Sequence, residues 1–301
     1  MNLETYTKIL YDSTKWNNDY KKINKWAITE KIHGSNFSFV YDVKTNSFKY
    51  AKRTGILDDS DNFFGYKTIL QETLPKIQLV VDYVKKIYTD LQTITVFGEL
   101  FGEGVQGGIY YSPNLHFYAF DIFINIDSNT KFYLDFEISL KAFEYAKILH
   151  AKPLKIYNSY ERAIEHKLGF DSTIPSILNI DIVGLQPGKN KAEGIVVRSM
   201  KQRYITKIKI PEFSETKYSA NDYDKAITND NKLESYKTKA LQCMTINRLN
   251  NAISKIGPFD DYKEEIYEAY ANDILSEIDG YGIHGLGEWL DEFIKNNQIA
   301  K

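Results

Sequence analysis

Hydrophobic and polar residues alternate with a period of two over much of the first two thirds of the chain. Residues 26–43, WAITEKIHGSNFSFVYDV, alternate and are followed by the turn Lys44-Thr45-Asn46-Ser47. Phe48 to Ala51 then runs back, so the stretch reads as a β-hairpin. Between Ile69 and Leu91 the period changes. Leu74, Ile77, Val80, Val81, Val84 and Ile87 recur on one face of a helix. Apolar strands are predicted at Thr93 to Phe101, Leu115 to Ile126, Ala192 to Met200 and Tyr204 to Ile210, and a helix at Phe136 to Leu149. Strands dominate with helices between them, which is the α+β class. After Ser214 the pattern shifts. Residues 215–235 are polar, and helices follow at Tyr236 to Ile256 and Tyr262 to Ile278, split by Gly257-Pro258. A Gly-rich turn, 280–287, precedes a short last helix, Glu288 to Asn296. The expected organisation is a larger α+β domain, 1–220, and a small all-helical domain, 221–301.

Composition narrows the class. Of 301 residues, 43% are hydrophobic and 26% charged, which suits a chain that buries a core and excludes a disordered one. Lys+Arg number 38 and Asp+Glu 40, for a net charge of −2. A nucleic-acid site must therefore come from locally clustered charge. Cys243 is the single cysteine, so no intramolecular disulfide forms, and with five scattered His a structural zinc site is not expected. The N-terminal residues show no apolar signal-peptide core, and no run is long enough to span a bilayer. A soluble, cytoplasmic protein in a reducing compartment, without membrane contact, is expected.

Certain placed residues suggest chemistry. Lys31-Ile32-His33-Gly34 sets a lysine in an apolar strand just before a glycine turn. A lysine near a low-dielectric pocket and other cations loses its proton more easily and can act as a nucleophile; an exposed strand lysine is the plainer reading. Lys207 and Lys209 alternate on a strand and share a face. Facing an anion such as a triphosphate would relieve their repulsion; a solvated edge pair is the other reading. Glu99 and Glu193 lie inside apolar strands, where a carboxylate needs a partner: a ribose hydroxyl, a hydrated metal or, in the plainer reading, a nearby lysine. Two basic stretches suit phosphates and bases or a solvated face. One carries Lys189, Lys191, Arg198, Lys201, Arg203, Lys207 and Lys209; the other carries Lys15, Lys21, Lys22 and Lys25 among Trp16, Tyr20 and Trp26. Residues 102–107 match G-x-G-x-x-G, but Pro113 stops the helix that a dinucleotide-binding turn requires. A second match, from Gly280, follows no strand and reads as a helix break.

Taken in order, these motifs resemble those of the covalent nucleotidyltransferases, the polynucleotide ligases and RNA capping enzymes: Lys31-Ile32-His33-Gly34, Phe97-Gly98-Glu99, Phe117-Tyr118-Ala119-Phe120-Asp121, Glu193-Gly194-Ile195-Val196 and Lys207-Ile208-Lys209. Within that superfamily the chain is most similar to the RNA ligase 2 family of nick-sealing RNA ligases. EKIHGSNFS around Lys31, AKRTG at Ala51 to Gly55, NFFGY at Asn62 to Tyr66, FGELFG at Phe97 to Gly102 and CMTINRLNNAISKIG in the tail carry this closer likeness.

The resemblance implies an α+β nucleotidyltransferase domain with antiparallel sheets around an ATP cleft, and a helical C-terminal domain that engages RNA. It implies ATP as substrate, Mg2+ or Mn2+ as metal, nicked duplex RNA as partner and a monomeric state. By resemblance, Lys31 would take AMP as a phosphoramidate. Glu30 would contact the adenine edge, Phe120 would stack on the base, and Arg53 and Glu99 would hold the ribose. Lys207 and Lys209 would neutralise the α-phosphate, and Glu193, with Glu99, would organise the metal through water. His33 and Asn36 would act near phosphates and RNA ends, and Phe63 and Phe64 would pack against the nucleic acid. In the tail, Lys237, Lys239, Arg248 and Lys255 suit RNA phosphates. A DNA ligase or GTP-using capping enzyme would instead carry a β-barrel after the last motif. A non-catalytic RNA-binding protein would not need Lys31, Glu99, Glu193, Lys207 and Lys209 together.

Overall fold

The computed structural model describes residues 5–7, 9, 13–127, 129–181, 186–213, 232–278 and 280–297. The chain divides into two compact units, 1–210 and 211–301. The expected boundary near residue 220 lies outside the described residues.

The first unit is built on two antiparallel sheets. Its strands are β1 (Trp26–Lys31), β2 (Ser35–Asp42), β3 (Ser47–Lys52), β4 (Gly55–Ile56), β5 (Thr93–Phe101), β6 (His116–Asn125), β7 (Lys131–Tyr133), β8 (Lys155–Tyr157), β9 (Gly194–Ser199) and β10 (Ile205–Lys209). Six strands pair in the order β4-β3-β2-β5-β6-β7, and four in the order β10-β9-β1-β8. The α+β class is as expected. The single run expected from Trp26 to Val43 is in fact two strands, because the chain leaves one sheet at Lys31 and enters the other at Ser35. Gly34 permits that crossing: a Cβ there would lie 2.1 Å from the Leu100 carbonyl oxygen.

Alternation decides what each face carries. Phe37, Phe39 and Tyr41 of β2, with Ile94, Val96 and Leu100 of β5, pack beneath helices α1 (Leu70–Ile87) and α2 (Phe136–Ala146). Ile77, Val80, Val81 and Val84 of α1 supply its buried stripe, as the helical spacing predicts. The helix α2 stops three residues early because Lys147 adopts a left-handed conformation, φ 52°. The opposite face of the six-stranded sheet carries Asn36, Phe97 and Glu99. It looks toward the four-stranded sheet, and Arg198 of β9 reaches Asp121 of β6 across the cleft. No helix follows Gly102, so the first glycine motif is a loop.

The four-stranded sheet turns its other face outward. There Trp26, Ile28, Ile195 and Val197 pack with Tyr160 and Ala163 of α3 (Tyr160–Ile164). Trp16 stacks on Trp26 at 5.8 Å and meets Tyr160 and Tyr204 edge-on. The aromatics of the Lys15 to Trp26 stretch are thus packing residues, while its lysines face solvent.

In the second unit every named element after residue 231 is helical: α5 (Lys232–Cys243), α6 (Ile246–Ile256), α7 (Lys263–Glu277) and α8 (Leu286–Asn297), with α4 (Ile174–Ile177) belonging to the first unit. Among the described residues after 213 there is no strand. The helix expected over Tyr236 to Ile256 breaks at Met244-Thr245, where the Thr245 hydroxyl caps α6 by accepting the Arg248 N–H at 3.2 Å. Leu249, Tyr270, Ile274, Leu286, Leu290 and Ile294 close a core around buried Cys243. Arg248 is 2% exposed and paired with Asp273 and Glu277, so it is a structural cation and does not serve the RNA contact expected of it. Removing it strands a carboxylate and opens a void. Arg248→Ala should destabilise the protein by roughly 2–3 kcal/mol, less than a fully buried pair because its partners reach solvent. A fall in the urea midpoint of the helical unit's transition measures this, and an unchanged midpoint contradicts it.

Candidate active site

Strand register assembles the site. Gly194 at the start of β9 opposes Lys31 of β1 on one side and Lys209 of β10 on the other. A Cβ on Gly194 would lie 2.0 Å from the Ile208 carbonyl oxygen, so only glycine lets the three strands close at this level. Glu193, one residue earlier, points between the lysines. Its Oε2 lies 2.6 Å from Lys31 Nζ, its Oε1 lies 3.0 Å from Lys209 Nζ, and Oε2 is 3.5 Å from His33 Nδ1. Lys207, two residues before Lys209, shares its face.

The carboxylate is 1% exposed. Burial alone would raise its pKa, but Lys31, the hydrogen bond from His33 and Lys209 outweigh that and hold it well below the usual carboxylate range. Glu99 behaves oppositely. Burial pushes it up to about 7, against the pull of the Lys31 and Arg53 cations. Asn36 opposes Glu99 in the β2–β5 register and so shares its face. Arg53 stands in the turn between β3 and β4. Phe120 is the extra residue of a bulge opposite Phe97 and Gly98, and it packs edge-on to Tyr6 at 4.9 Å. Lys31, His33, Glu193, Lys209, Glu99 and Arg53 thus share one electrostatic neighbourhood.

Two expected assignments differ from the geometry. Glu30 sits one residue before Lys31 and therefore on the opposite face of β1, with Trp26 and Ile28. Its Oε1 accepts the Ser172 hydroxyl at 2.5 Å, and its Oε2 accepts the Thr173 N–H at 2.8 Å and the Thr173 hydroxyl at 2.6 Å. This carboxylate is occupied by protein donors on the face opposite Lys31. Phe63 is 1% exposed and packs in the core beneath the sheet, so it offers no face to RNA. Only Phe64 is half-buried, in a left-handed conformation (φ 49°) that a bulky residue seldom adopts.

Sequence reasoning left Asp121 without a role. It is fully buried and accepts the Tyr6 hydroxyl at 2.5 Å, Arg203 at 2.9 Å, and Arg198. Arg198 also donates to the Phe120 carbonyl at 3.1 Å. Burial would raise the Asp121 pKa, but the two guanidinium groups hold it below its ordinary value. A lone aspartate in the apolar run AFDIFI was the signal. Arg198, Arg203 and Lys209 of the Lys189 to Lys209 stretch are accordingly internal partners of carboxylates. Tyr111, also missed, accepts the His33 N–H at 2.9 Å.

Among the described residues no group of three or more His, Cys, Asp or Glu could hold a metal by itself. Glu99 and Glu193 offer carboxylate oxygens that fit a hydrated Mg2+ or Mn2+ whose other ligands are water and substrate phosphates. Among the described residues no helix is long and apolar enough to cross a membrane.

Two facing antiparallel sheets with two lysines and a buried glutamate between them at one level make a nucleotidyltransferase-type site. The family model for RNA ligase matches residues 24–210, which contain every strand described here, and the chain belongs to that family. It is 26% identical over 219 residues to the mitochondrial RNA-editing ligase 1 of Trypanosoma brucei brucei, covering 59% of this chain and 45% of that protein. It is 27% identical over 214 residues to the mitochondrial RNA-editing ligase 2 of the same organism, covering 58% and 49%. The chain spans about half the length of the curated relatives it matches. A mutant of the Naegleria gruberi RNA ligase, solved with ATP and Mn, superposes with a TM-score of 0.51 at 16% identity, over 70% of this chain and 57% of that one. The same ligase with PPi gives 0.50 at 16% identity, over 70% and 57%. These two establish the fold.

Glu193 and Glu99 should leave opposite marks on stability. The Glu193 pKa is depressed in the fold, so its contribution is present above the unfolded value of 4.5 and is lost as pH falls below it. Glu99 is raised from 4.5 to about 7, so the stability it confers is present below 4.5 and is lost as pH rises through 7. Relative to wild type, Glu99→Gln should therefore gain on the order of 2 kcal/mol between pH 5 and 8, while Glu193→Gln loses its deficit below pH 4.5. Denaturation midpoints from pH 3 to 8 check both. Parallel curves for the two variants would contradict the assignment.

Proposed function

We propose that this protein is an ATP-dependent RNA ligase that joins an RNA 3′-OH to a 5′-phosphate, at nicks in duplex RNA, through a lysyl-AMP intermediate on Lys31. The observation that carries the reading is the Glu193 carboxylate gripping Lys31 and Lys209 at one level of the sheet. Family membership and the RNA-editing ligases among its relatives support the substrate class. The ATP and Mn described for the Naegleria ligase support the cofactors.

In the first step Lys31 Nζ bonds to the α-phosphorus of ATP and the bond to pyrophosphate breaks. Attack needs the neutral amine, so Lys31 must give up the proton that pairs it with Glu193. Lys207 and Lys209, fixed on the same strand face, neutralise charge that grows on the phosphoryl oxygens. Arg53 and Glu99 suit the ribose, and Phe120 suits the base. In the second step AMP passes to the RNA 5′-phosphate. In the third the 3′-OH attacks and AMP leaves. A Mg2+ or Mn2+ held through water by Glu99 and Glu193 would supply further charge neutralisation. His33 and Asn36 serve the phosphates and RNA ends, and Phe64 keeps the role that Phe63 cannot fill. The protein acts as a monomer in a reducing aqueous compartment.

Lys31→Ala should abolish labelling of the protein by ATP carrying label in its α-phosphate, yet still seal RNA that already bears a 5′-adenylate. Retained labelling removes Lys31 from the role. Labelling by GTP instead of ATP would favour a capping enzyme.

The helical unit carries half-exposed Lys237, Lys239 and Lys255. We assign it the duplex grip. A protein ending near residue 220 should keep lysyl-AMP formation but seal nicks at least tenfold more slowly, and full-length binding should weaken steeply with salt. Equal sealing rates for the two proteins at low salt would make the tail a stability element.

A further inference from the structure

Lys31 is anchored through the residues on either side of it, and both anchors lie away from Nζ. On one side, Ser172 and Thr173 hold the Glu30 carboxylate through three donors. On the other, the Tyr111 hydroxyl accepts the His33 N–H at 2.9 Å. The two anchors come from different loops, and Asn190 ties them together. Its carbonyl accepts the Ser172 N–H at 2.8 Å. Its side chain makes a reciprocal pair with the Tyr110 backbone, Oδ1 accepting the N–H and Nδ2 donating to the carbonyl, each at 2.8 Å. Asp171 fixes Asn190 in turn, accepting its N–H at 3.1 Å and that of Gly188 at 2.7 Å. Asn190, Ser172 and Tyr111 are all buried. The bonds form a ring that runs from Glu30 through Ser172, Asn190, Tyr110 and Tyr111 to His33 and closes through the Lys31 backbone.

A lysine side chain has four rotatable bonds, so its two ends need separate restraint. Glu193 restrains Nζ, but that pair must break for Nζ to reach phosphorus. The near end then needs a hold that the reaction leaves intact, because in-line attack tolerates little displacement. We propose that Tyr111, Ser172, Thr173 and Asn190 are positioning residues for the nucleophile, and that their closed hydrogen-bond ring keeps the Lys31 backbone in place while Nζ leaves Glu193 for the α-phosphate. This rests on the lysyl-AMP reading above.

The test uses full-length protein and single-turnover transfer of label from ATP to protein. Tyr111→Phe and Thr173→Val each remove one hydroxyl with little change of shape. Each should slow transfer about tenfold at saturating ATP, with the half-saturating ATP concentration within about threefold of wild type. Thr173→Ser, which keeps the hydroxyl, should return the rate to within about twofold. The double variant should be little slower than the slower single one, because both hydroxyls belong to one hydrogen-bond network that holds the same stretch of backbone. Wild-type rates in both single variants overturn the proposal, as does a loss confined to ATP affinity or a Thr173→Ser rate as low as that of Thr173→Val. Wild-type protein that takes no label overturns the lysyl-AMP reading itself, a separate result.

Discussion

A single buried carboxylate between two ammonium groups is the constraint on which the cleft depends. Glu193 loses nearly all its hydration, and that loss alone costs more than a folded domain tolerates without compensation. Lys31 and Lys209 supply it at 2.6 and 3.0 Å. The three groups are mutually obligatory: without Glu193 the lysines repel, and without the lysines Glu193 takes up a proton. Most of the surrounding architecture serves to bring these groups to one level. The β1–β9 and β9–β10 registers do it, and Gly194 permits it. Such an arrangement holds two cations inside the cleft without exposing them to solvent.

Much of this was legible in the sequence, for a definite reason. Period-two alternation and apolar runs mark strands whatever their partners, so β2, β3, β5, β6, β9 and β10 and the helix α1 stand where the pattern puts them. The order of the motifs singles out Lys31, Glu99, Glu193, Lys207 and Lys209 in the sequence. What sequence could not give was the third dimension of polar pairing. Arg198 and Arg203 look like a basic surface in one dimension, yet Asp121, 77 and 82 residues earlier in the chain, draws them inward. Arg248 likewise reads as a helix-surface cation until Asp273 and Glu277 are seen to cover it. Glu30 shows the limit from the other side. Its neighbour Lys31 ends strand β1, as the alternation predicts, but parity alone places the two side chains on opposite faces.

The short elements were the least visible. The strands β7 and β8 and the helices α3 and α4 have three to five residues each, too few for a period to declare itself. They nonetheless place chemistry: the turn entering α4 brings Ser172 and Thr173 to Glu30. The bulge at Phe120 is similar. Nothing in FYAFDIF announces an extra residue, and only pairing with β5 shows that Phe97 faces Asp121 while Phe120 stands outside the ladder.

Strand parity also says how this site tolerates change in length. Between Glu193 and Lys209 the chain runs up β9, turns through residues 200–204 and returns along β10. A residue added within that turn can bulge into solvent and leave the ladder alone. A residue added inside β10 reverses every side chain beyond it, sending Lys207 or Lys209 to the outer face while the composition and motif order stay intact. Distance along the chain between the glutamate and the lysines is therefore a loose variable. The odd-or-even count within each strand is a rigid one, and a search for further members of this architecture gains more by fixing that count than by fixing the spacing.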